Sequence, residues 1–204
     1  MRCSLDQENN GSSRFHGVAS VGRLCGAGCF RRFHADRQDH LAAIGHYEFC
    51  KREARECAIT SRDTRALKLT PANWQHIIEV NFSVNERIKP MTDMEIYGIE
   101  EYWAYPTTVG DCEDYVLLKQ RELHQAGIPL TDLLITVVRK PNGEGHAVLT
   151  ARTDRGDFVL DNLTDEVMRW DETDYTYLKR QAANHTGRWV TIEAPDNLLV
   201  GSVR

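Results

Sequence analysis

The order of the sequence patterns predicts an α+β fold in which N-terminal helices pack on an antiparallel β-sheet. Two helical patterns come first, at residues 71–88 and 111–125. Three short runs rich in β-branched residues follow, LLITVVRK, HAVLTART and DFVLDNL, and turn signals separate them. A further helical or loop stretch is predicted next, and a last predicted strand, GRWVTIEA, closes the domain. Helices followed by short strands with tight turns are typical of the α+β class.

Both helices have recognisable ends. Thr70 is a good N-cap for the first helix, and Pro71 occupies the first helical position, where its missing N–H costs nothing. The second helix ends before Gly127, a residue type that often follows the last helical turn. The aromatic stretch between the helices, residues 89–109, is interrupted by Pro and Gly and is predicted to be a packed loop.

Length and composition fit one globular domain. The chain has 204 residues, of which 41% are hydrophobic and 27% charged. Residues 1–40 lack periodicity and are predicted to be a weakly structured N-terminal leader or tail, with the folded domain at 41–204. The net charge of −5 gives no basic footprint for nucleic acid. No run approaches the roughly 18 apolar residues of a membrane span. The N-terminus contains no clear signal peptide.

Cys50 and Cys57 lie seven residues apart in FCKREAREC, and two states are open to them. On one continuous helix their Cα atoms would be roughly 10 Å apart. That separation exceeds the limit of about 7 Å for a disulfide. If the segment is instead broken by a loop, the two can bond, and the protein then belongs in an oxidising compartment.

A cysteine, a histidine and an aspartate form the candidate catalytic set. Cys112 lies at the start of the second predicted helix, in GDCEDYVLLK, where the helix dipole stabilises a thiolate. His146 begins the run HAVLTART, and Asp161 lies near the end of the next run, in FVLDN. A nucleophilic cysteine needs a base, and the base needs an orienting acceptor. These residue types therefore indicate a Cys–His–Asp triad.

The hairpin between the two strands decides whether His146 and Asp161 share a face. The strands are joined through TDRGD. A loop of two or four residues pairs an odd-numbered position with an even-numbered one, and opposed residues point to the same side of a sheet. His146 and Asp161 satisfy that parity. A three-residue loop would put them on opposite faces unless a bulge corrected it.

Each member of the triad also has a structural interpretation. A single cysteine such as Cys112 is often a small buried hydrophobe. His146, beside a turn, would then be a surface side chain, and Asp161 a turn acceptor. Spacing alone therefore leaves the triad a hypothesis.

Three carboxylates surround the cysteine, those of Asp111, Glu113 and Asp114. Negative neighbours raise the pKa of a thiol and so oppose the reactive thiolate. In the structural interpretation Asp111 caps the helix, and the other two interact with its dipole.

Several sequence blocks resemble the bacterial transglutaminase-like cysteine proteinases, the family that includes the LapG-type adhesin proteases. The blocks are GDCEDYVLLK, GEGHAVLTARTDRGDFVLDNLTDEV, YLKRQ and RWV, and the similarity runs from about residue 49 to residue 190. The resemblance implies a papain-like, transglutaminase-type core. It also implies a cysteine peptidase with Cys112 as nucleophile, His146 as base and Asp161 as the residue that orients the base.

The same resemblance implies a calcium ion beside the nucleophile. LapG-type members bind calcium through acidic residues of the DCED motif, so Asp111, Glu113 and Asp114 are the implied ligands. Ca²⁺ takes six to eight oxygen ligands, so carbonyls or water would complete the shell. A bound divalent cation would reverse the local electrostatics and favour the thiolate.

The implied partners are a protein or peptide substrate, of which a cell-surface adhesin is the family example, and an inner-membrane regulatory receptor. The implied location is the periplasm, although without a clear signal peptide a cytoplasmic location stays open. Two other functions also stay open. The same triad would serve a transglutaminase or amidase that passes the acyl group to an amine, and the scaffold would also suit a binding module that does no catalysis.

Overall fold

The structure, a computed structural model, describes residues 36–38 and 43–192. Most of the predicted leader, and residues 193–204 at the other end, lie outside the described residues. The predicted leader does contain one described element, a three-residue strand. The helices are Ile44–Arg52 (α1), Ala54–Cys57 (α2), Pro71–Arg87 (α3), Asp93–Tyr97 (α4) and Cys112–Gln125 (α5). The strands are Asp36–Gln38 (β1), Lys89–Pro90 (β2), Val109–Gly110 (β3), Leu133–Arg139 (β4), Gly145–Thr153 (β5), Gly156–Leu160 (β6), Met168–Arg169 (β7), Thr176–Ala182 (β8) and His185–Ile192 (β9).

Seven of the described strands form one antiparallel sheet in the order β1-β9-β8-β4-β5-β6-β7. Strands β2 and β3 form a separate parallel pair. The fold is α+β, as the sequence predicts, with helices on an antiparallel sheet. Three of the predicted runs became β4, β5 and β6, and the last predicted strand became β9.

The central strands β4 and β5 separate two buried clusters. Alternate residues such as Val137 and Ala147 join the main core, where α1, α3 and α5 pack on one face. Their neighbours Val138 and Val148 join a smaller cluster with Tyr177. Because successive side chains in a strand point to opposite faces, this division follows directly from the pleat. Both faces of the central strands are therefore covered.

The helix α3 confirms the predicted start and nearly the predicted end. Thr70 accepts a hydrogen bond from the backbone N–H of Asn73, and Pro71 is the first helical residue. The helix α5 begins at Cys112, one residue later than predicted. After α5, Gly127 has a φ of 96°, a left-handed conformation that glycine adopts without strain.

Two predictions about irregular segments were wrong. Residues 89–109 are not only a loop, because Thr92 and Glu95 form a capping box that starts α4. The stretch before the last strand contains β8, which pairs with both β4 and β9. Its sequence, TYLKRQA, carries two basic residues, so composition did not mark it as a strand of a buried sheet.

Cys50 and Cys57 are joined by a disulfide, with Cα atoms 5.6 Å apart. The bond is possible because the chain leaves the helical conformation at Glu53, between α1 and α2. Of the two states that the sequence left open, the broken segment is therefore the observed one. Within the described residues, no helix combines the length and apolar character needed to cross a membrane.

Candidate active site

The start of α5 brings Cys112 to the sheet. The helix packs against β4 and β5, and Cys112 lies in the same buried cluster as Ala147. His146 comes directly before Ala147 and pairs with Val138, so the pleat gives it the face of the smaller cluster. Asp111 occupies the N-cap position, but its side chain makes no capping hydrogen bond. The capping role in the structural interpretation is therefore not filled by this carboxylate.

His146 and Asp161 are in direct contact. Nε2 of the histidine lies 2.8 Å from Oδ1 of the aspartate, and both side chains are buried. The hairpin between β5 and β6 has a two-residue turn, with Thr153 opposite Gly156 and Leu149 opposite Leu160. In that register the two residues are diagonal neighbours on one face, as the parity argument requires.

The charge state of Asp161 fixes the proton on His146. Burial alone would raise the pKa of Asp161, but hydrogen bonds from His146 and Tyr175 bring that pKa below its usual value. The carboxylate is therefore ionised and accepts hydrogen bonds. Nε2 of His146 must carry the hydrogen, and in the neutral ring Nδ1 then keeps the lone pair. That nitrogen is the one able to take a proton.

The sulfur of Cys112 has two recorded partners. It lies 3.0 Å from Oε2 of Glu113, and the residue is disulfide-bonded. A disulfide sulfur has no hydrogen to donate, so the contact with Glu113 is a hydrogen bond only in the thiol form. Within the described residues, no hydrogen bond joins this sulfur to His146. Of the three predicted triad members, the structure thus pairs the histidine with the aspartate and puts the cysteine on the adjoining helix.

A polar network holds the turn that follows Asp161. Asn85 on α3 donates from its amide to the backbone carbonyl of Asp161, at 2.9 Å. Asn81, one helical turn earlier, donates to the carbonyls of Thr164 and Asp165. Lys119 on α5 donates to the Asn81 side chain at 2.8 Å. The network therefore ties α3 and α5 to the backbone of Asp161 and of the turn that follows it.

A second group of carboxylates surrounds the start of α5. One oxygen each from Asp93, Asp111 and Glu113 lies within 4.8 Å of the others, and all three residues are buried. Asp114, a predicted ligand, is outside this set of three. One of its oxygens accepts from the backbone N–H of Ala104, at 2.8 Å.

Three oxygens of this acidic cluster (Asp93, Asp111, Glu113 and Asp114) are buried without a hydrogen-bond donor among the described residues. They are Oδ1 of Asp93, Oδ1 of Asp111 and Oδ2 of Asp114. Buried acceptors are normally satisfied, and each exception calls for an explanation. An all-oxygen, all-carboxylate donor set is the chemistry that hard divalent cations select.

Burial raises the pKa of each carboxyl in the acidic cluster. The pKa of Asp111 rises to about 7 and that of Asp114 to about 8, while the values for Asp93 and Glu113 also rise. In each case loss of hydration is the largest cause, and neighbouring acids add repulsion. The cluster therefore holds negative charge poorly without a compensating cation.

Gly110 allows the acids to come together. A Cβ at this position would lie 2.8 Å from both Cβ and Oδ2 of Asp114, and 3.1 Å from Cβ of Pro106. Real Cβ atoms essentially never come within 3.0 Å of such a neighbour, so the two contacts with Asp114 could not both persist. Glycine is therefore required here by the close approach of Asp114.

A family model for the bacterial transglutaminase-like cysteine proteinases matches residues 37–197. The matched region covers most of the chain. The chain belongs to this family. It is a transglutaminase-like cysteine peptidase, and the predicted resemblance is confirmed. A search of the curated proteins finds no match.

Three solved structures of Legionella pneumophila LapG are similar to this proteinase. The EGTA-treated structure is 24% identical with a TM-score of 0.51, over 64% of this chain and 72% of that one. The calcium-bound structure is 25% identical with a TM-score of 0.48, over 55% and 66%. A third is 26% identical with a TM-score of 0.49, over 57% and 68%. The proteinase thus spans about two thirds of these LapG chains.

Sequence reasoning missed two residues of the proteinase's candidate site. Asp93 lies in the segment predicted as loop, 18 positions before Asp111, and no spacing rule links them. Tyr175 donates from its hydroxyl to Asp161 Oδ2, at 2.6 Å, from a segment with no assigned role. Trp103, in the same segment as Asp93, is only 1% exposed and belongs to the core.

Proposed function

We propose that this proteinase hydrolyses peptide bonds through a thioacyl-enzyme, with Cys112 as nucleophile, His146 as base and Asp161 as the residue that orients the base. The observation that carries the proposal is the buried 2.8 Å contact between His146 Nε2 and Asp161 Oδ1. This contact leaves Nδ1 as the basic atom of the imidazole, on the strand that packs against the helix of Cys112.

In the first half of the reaction, Nδ1 of His146 takes the thiol proton of reduced Cys112, and the sulfur attacks the peptide carbonyl. The carbonyl oxygen gains negative charge as the tetrahedral intermediate forms. The backbone N–H of Cys112 is available to this oxygen, because the first N–H groups of a helix have no partner within the helix. His146 then protonates the leaving amine, the C–N bond breaks, and a thioester remains.

In the second half, water replaces the amine. His146 Nδ1 takes a proton from the water, and the oxygen attacks the thioester carbonyl. When the C–S bond breaks, His146 returns the proton to the sulfur, and the carboxylic acid product leaves. Asp161 keeps the imidazole in one tautomer through both halves and remains ionised throughout.

We further propose that the acidic cluster holds a calcium ion. The unsatisfied oxygens of Asp93, Asp111 and Asp114, together with the buried carboxyl of Glu113, fit a hard cation. A cation held there would supply positive charge next to Cys112 and so offset the acids around the nucleophile. The calcium-bound state of a similar Legionella pneumophila LapG structure supports the choice of calcium.

The proposed substrate is a protein, with a cell-surface adhesin as the family example and an inner-membrane receptor as regulator. The proposed location is the periplasm. The Cys50–Cys57 disulfide supports an oxidising compartment, where such bonds persist. Resemblance to the LapG-type proteases supports the adhesin and the receptor.

The test is incubation of the reduced full chain with a bacterial surface proteome, with Ca²⁺ or with EGTA, followed by mass spectrometry of new N-termini. We expect cleavage with Ca²⁺ and little with EGTA, and none with Cys112→Ala under either condition. Persistent cleavage by Cys112→Ala would refute the nucleophile. A mass gain from an added amine, in place of new N-termini, would identify acyl transfer rather than hydrolysis.

A further inference from the structure

Tyr175 contacts both His146, the proposed base, and Asp161, the residue proposed to orient it. Its hydroxyl donates to Oδ2 of Asp161 at 2.6 Å. Its ring meets the imidazole of His146 edge to face, with the ring centroids 5.8 Å apart. No other described side chain has recorded contacts of both kinds.

The hydrogen bonds to Asp161 divide between its two oxygens. Oδ1 accepts from His146 Nε2 and from the backbone N–H of Leu163, the latter at 3.0 Å. Oδ2 accepts from Tyr175. Three donors spread over both oxygens fix the plane of the carboxylate, and that plane determines the direction of the imidazole. Without the tyrosine hydroxyl, Oδ2 would lose the only donor recorded for it among the described residues.

The position of Tyr175 follows from the sheet. Strand β8 begins at the next residue, Thr176, which lies opposite Arg139 at the end of β4. On the other side of β4, Val138 is opposite His146. Tyr175 therefore enters the sheet at the same end as the proposed base, one strand beyond β4.

The tyrosine keeps its hydrogen at working pH. Burial raises the pKa of Tyr175 above its ordinary value, and the negative charge of Asp161 raises it further. The phenol therefore remains a donor, and the carboxylate an acceptor, wherever a cysteine peptidase would operate.

We propose that Tyr175 is a positioning residue, which holds the carboxylate of Asp161 so that Oδ1 faces His146 and the imidazole stays aligned for proton transfer. This inference rests on the proposed function, since Tyr175 would act on catalysis through Asp161 and His146. A positioning residue acts on the chemical step and leaves substrate affinity largely unchanged.

The chain offers a matched control two residues away. Tyr177 also lies against the smaller cluster, and its hydroxyl is 2.9 Å from the hydroxyl of Thr173, with no recorded bond to Asp161. The variants Tyr175→Phe and Tyr177→Phe each remove one oxygen atom from the same strand region. Any general effect of losing a tyrosine hydroxyl is therefore common to both.

Two measurements test the inference. For hydrolysis of a substrate found by N-terminal mass spectrometry, Tyr175→Phe is expected to lower kcat by about tenfold to a hundredfold, with KM within about twofold, whereas Tyr177→Phe changes neither by more than about twofold. Thermal unfolding should show similar stabilities for the two variants. Equal kcat values for the two would overturn the proposal.

The second measurement does not need turnover. In ¹H NMR, the Nε2 proton of His146 should give a far-downfield resonance, which His146→Gln identifies by its loss. Tyr175→Phe should shift or broaden this resonance through faster exchange, and Tyr177→Phe should leave it in place. An unaltered resonance in Tyr175→Phe would overturn the positioning role. If wild type cleaves no protein at all while the resonance responds as expected, the proposed function fails and the positioning of the pair stands.

Discussion

Asp161 and the acidic cluster are both buried, but they differ in how fully their carboxyl oxygens are hydrogen-bonded. Asp161 accepts hydrogen bonds from His146, Tyr175 and a backbone N–H, and its pKa lies below the usual value. In the acidic cluster around the start of α5, by contrast, carboxyl oxygens lack donors and the pKa values are raised. The His146–Asp161 pair therefore has all its hydrogen-bond donors within the described residues, whereas the acidic cluster is where we propose that a cation binds.

Positive charge within the chain follows the same division. On the side of the base, the negative charge of Asp161 raises the pKa of Lys119 on α5, although burial keeps that pKa down at about 7. On the side of the acidic cluster, the positive charge of Arg52 lowers the pKa of Asp93, but loss of hydration outweighs it and that pKa is raised. Burial raises the pKa of carboxyls in both regions. The described residues reverse this effect at Asp161 but not at Asp93.

The largest expected effect comes from disrupting the His146–Asp161 pair. Replacing His146 with Ala removes the proposed base and leaves Asp161 without its main donor. Hydrolysis should fall by more than about a thousandfold, because members of a catalytic triad act as a unit. Initial rates on a cleavable protein substrate measure it. His76→Ala, which removes an exposed histidine from α3, is the control and should retain the wild-type rate. Comparable rates in the two variants would remove His146 from the mechanism.

The next largest effect concerns the acidic cluster. Wild type at a Ca²⁺ concentration of about 100 times its Kd should gain about 2.7 kcal/mol of unfolding free energy. The double variant Asp111→Asn/Glu113→Gln should lose that gain. In EGTA it should be more stable than wild type, since it removes two buried acids that repel each other. Differential scanning calorimetry follows both changes.

Glu79→Gln provides the comparison for the calcium experiment, because it neutralises an exposed acid on α3. It should keep the full calcium response. A double variant that responded to Ca²⁺ as strongly as wild type would show that the acidic cluster is not the binding site.

The smallest expected effect at pH 7 is that of Lys119→Met. The pKa of Lys119 is lowered to about 7, because burial lowers it by more than the negative charges of Asp161 and Asp165 raise it. Loss of the bond to Asn81 and relief of a buried charge oppose each other, so the unfolding free energy should change by only about 1 kcal/mol.

The same variant has a distinctive pH dependence. Between about pH 7 and pH 10 the unfolded chain binds a proton at this lysine that the folded chain does not. The contribution of Lys119 to stability therefore rises with pH over that window, by at most about 1.4 kcal/mol per pH unit. Urea unfolding of Lys119→Met should be less steep in pH than that of wild type. Lys68→Met, at an exposed site, is the control, and parallel curves for Lys119→Met and wild type would contradict the prediction.

Local sequence signals predicted the helix α3 and the strands next to His146 and Asp161. Thr70 and Pro71 marked the start of α3, and β-branched runs marked β4, β5 and β6. Parity put His146 and Asp161 on one face only for a loop of two or four residues, and the observed two-residue turn meets that condition. Their catalytic roles stay predictions, as does the role of Cys112.

What the sequence could not supply came from distant parts of the chain. Asp93 reaches the acidic cluster from the short helix α4, and Tyr175 reaches Asp161 from the start of β8. Neither has a periodic pattern or a fixed spacing to its partner. The state of Cys50 and Cys57 depended on a helix break at Glu53, whose sequence is compatible with a continuous helix. Such contacts depend on tertiary packing, which overrides local preference.

The bare backbone of Gly110 has a consequence for anyone who compares or redesigns such chains. A single methyl group there would press on the side chain of Asp114 and displace it without altering any of the acids. A chain that retained every acid but carried alanine at this position would look competent to bind a cation in an alignment. We expect it to bind the ion poorly. When the cation-binding capacity of such chains is compared, the glycine at position 110 should therefore be checked together with the carboxylates.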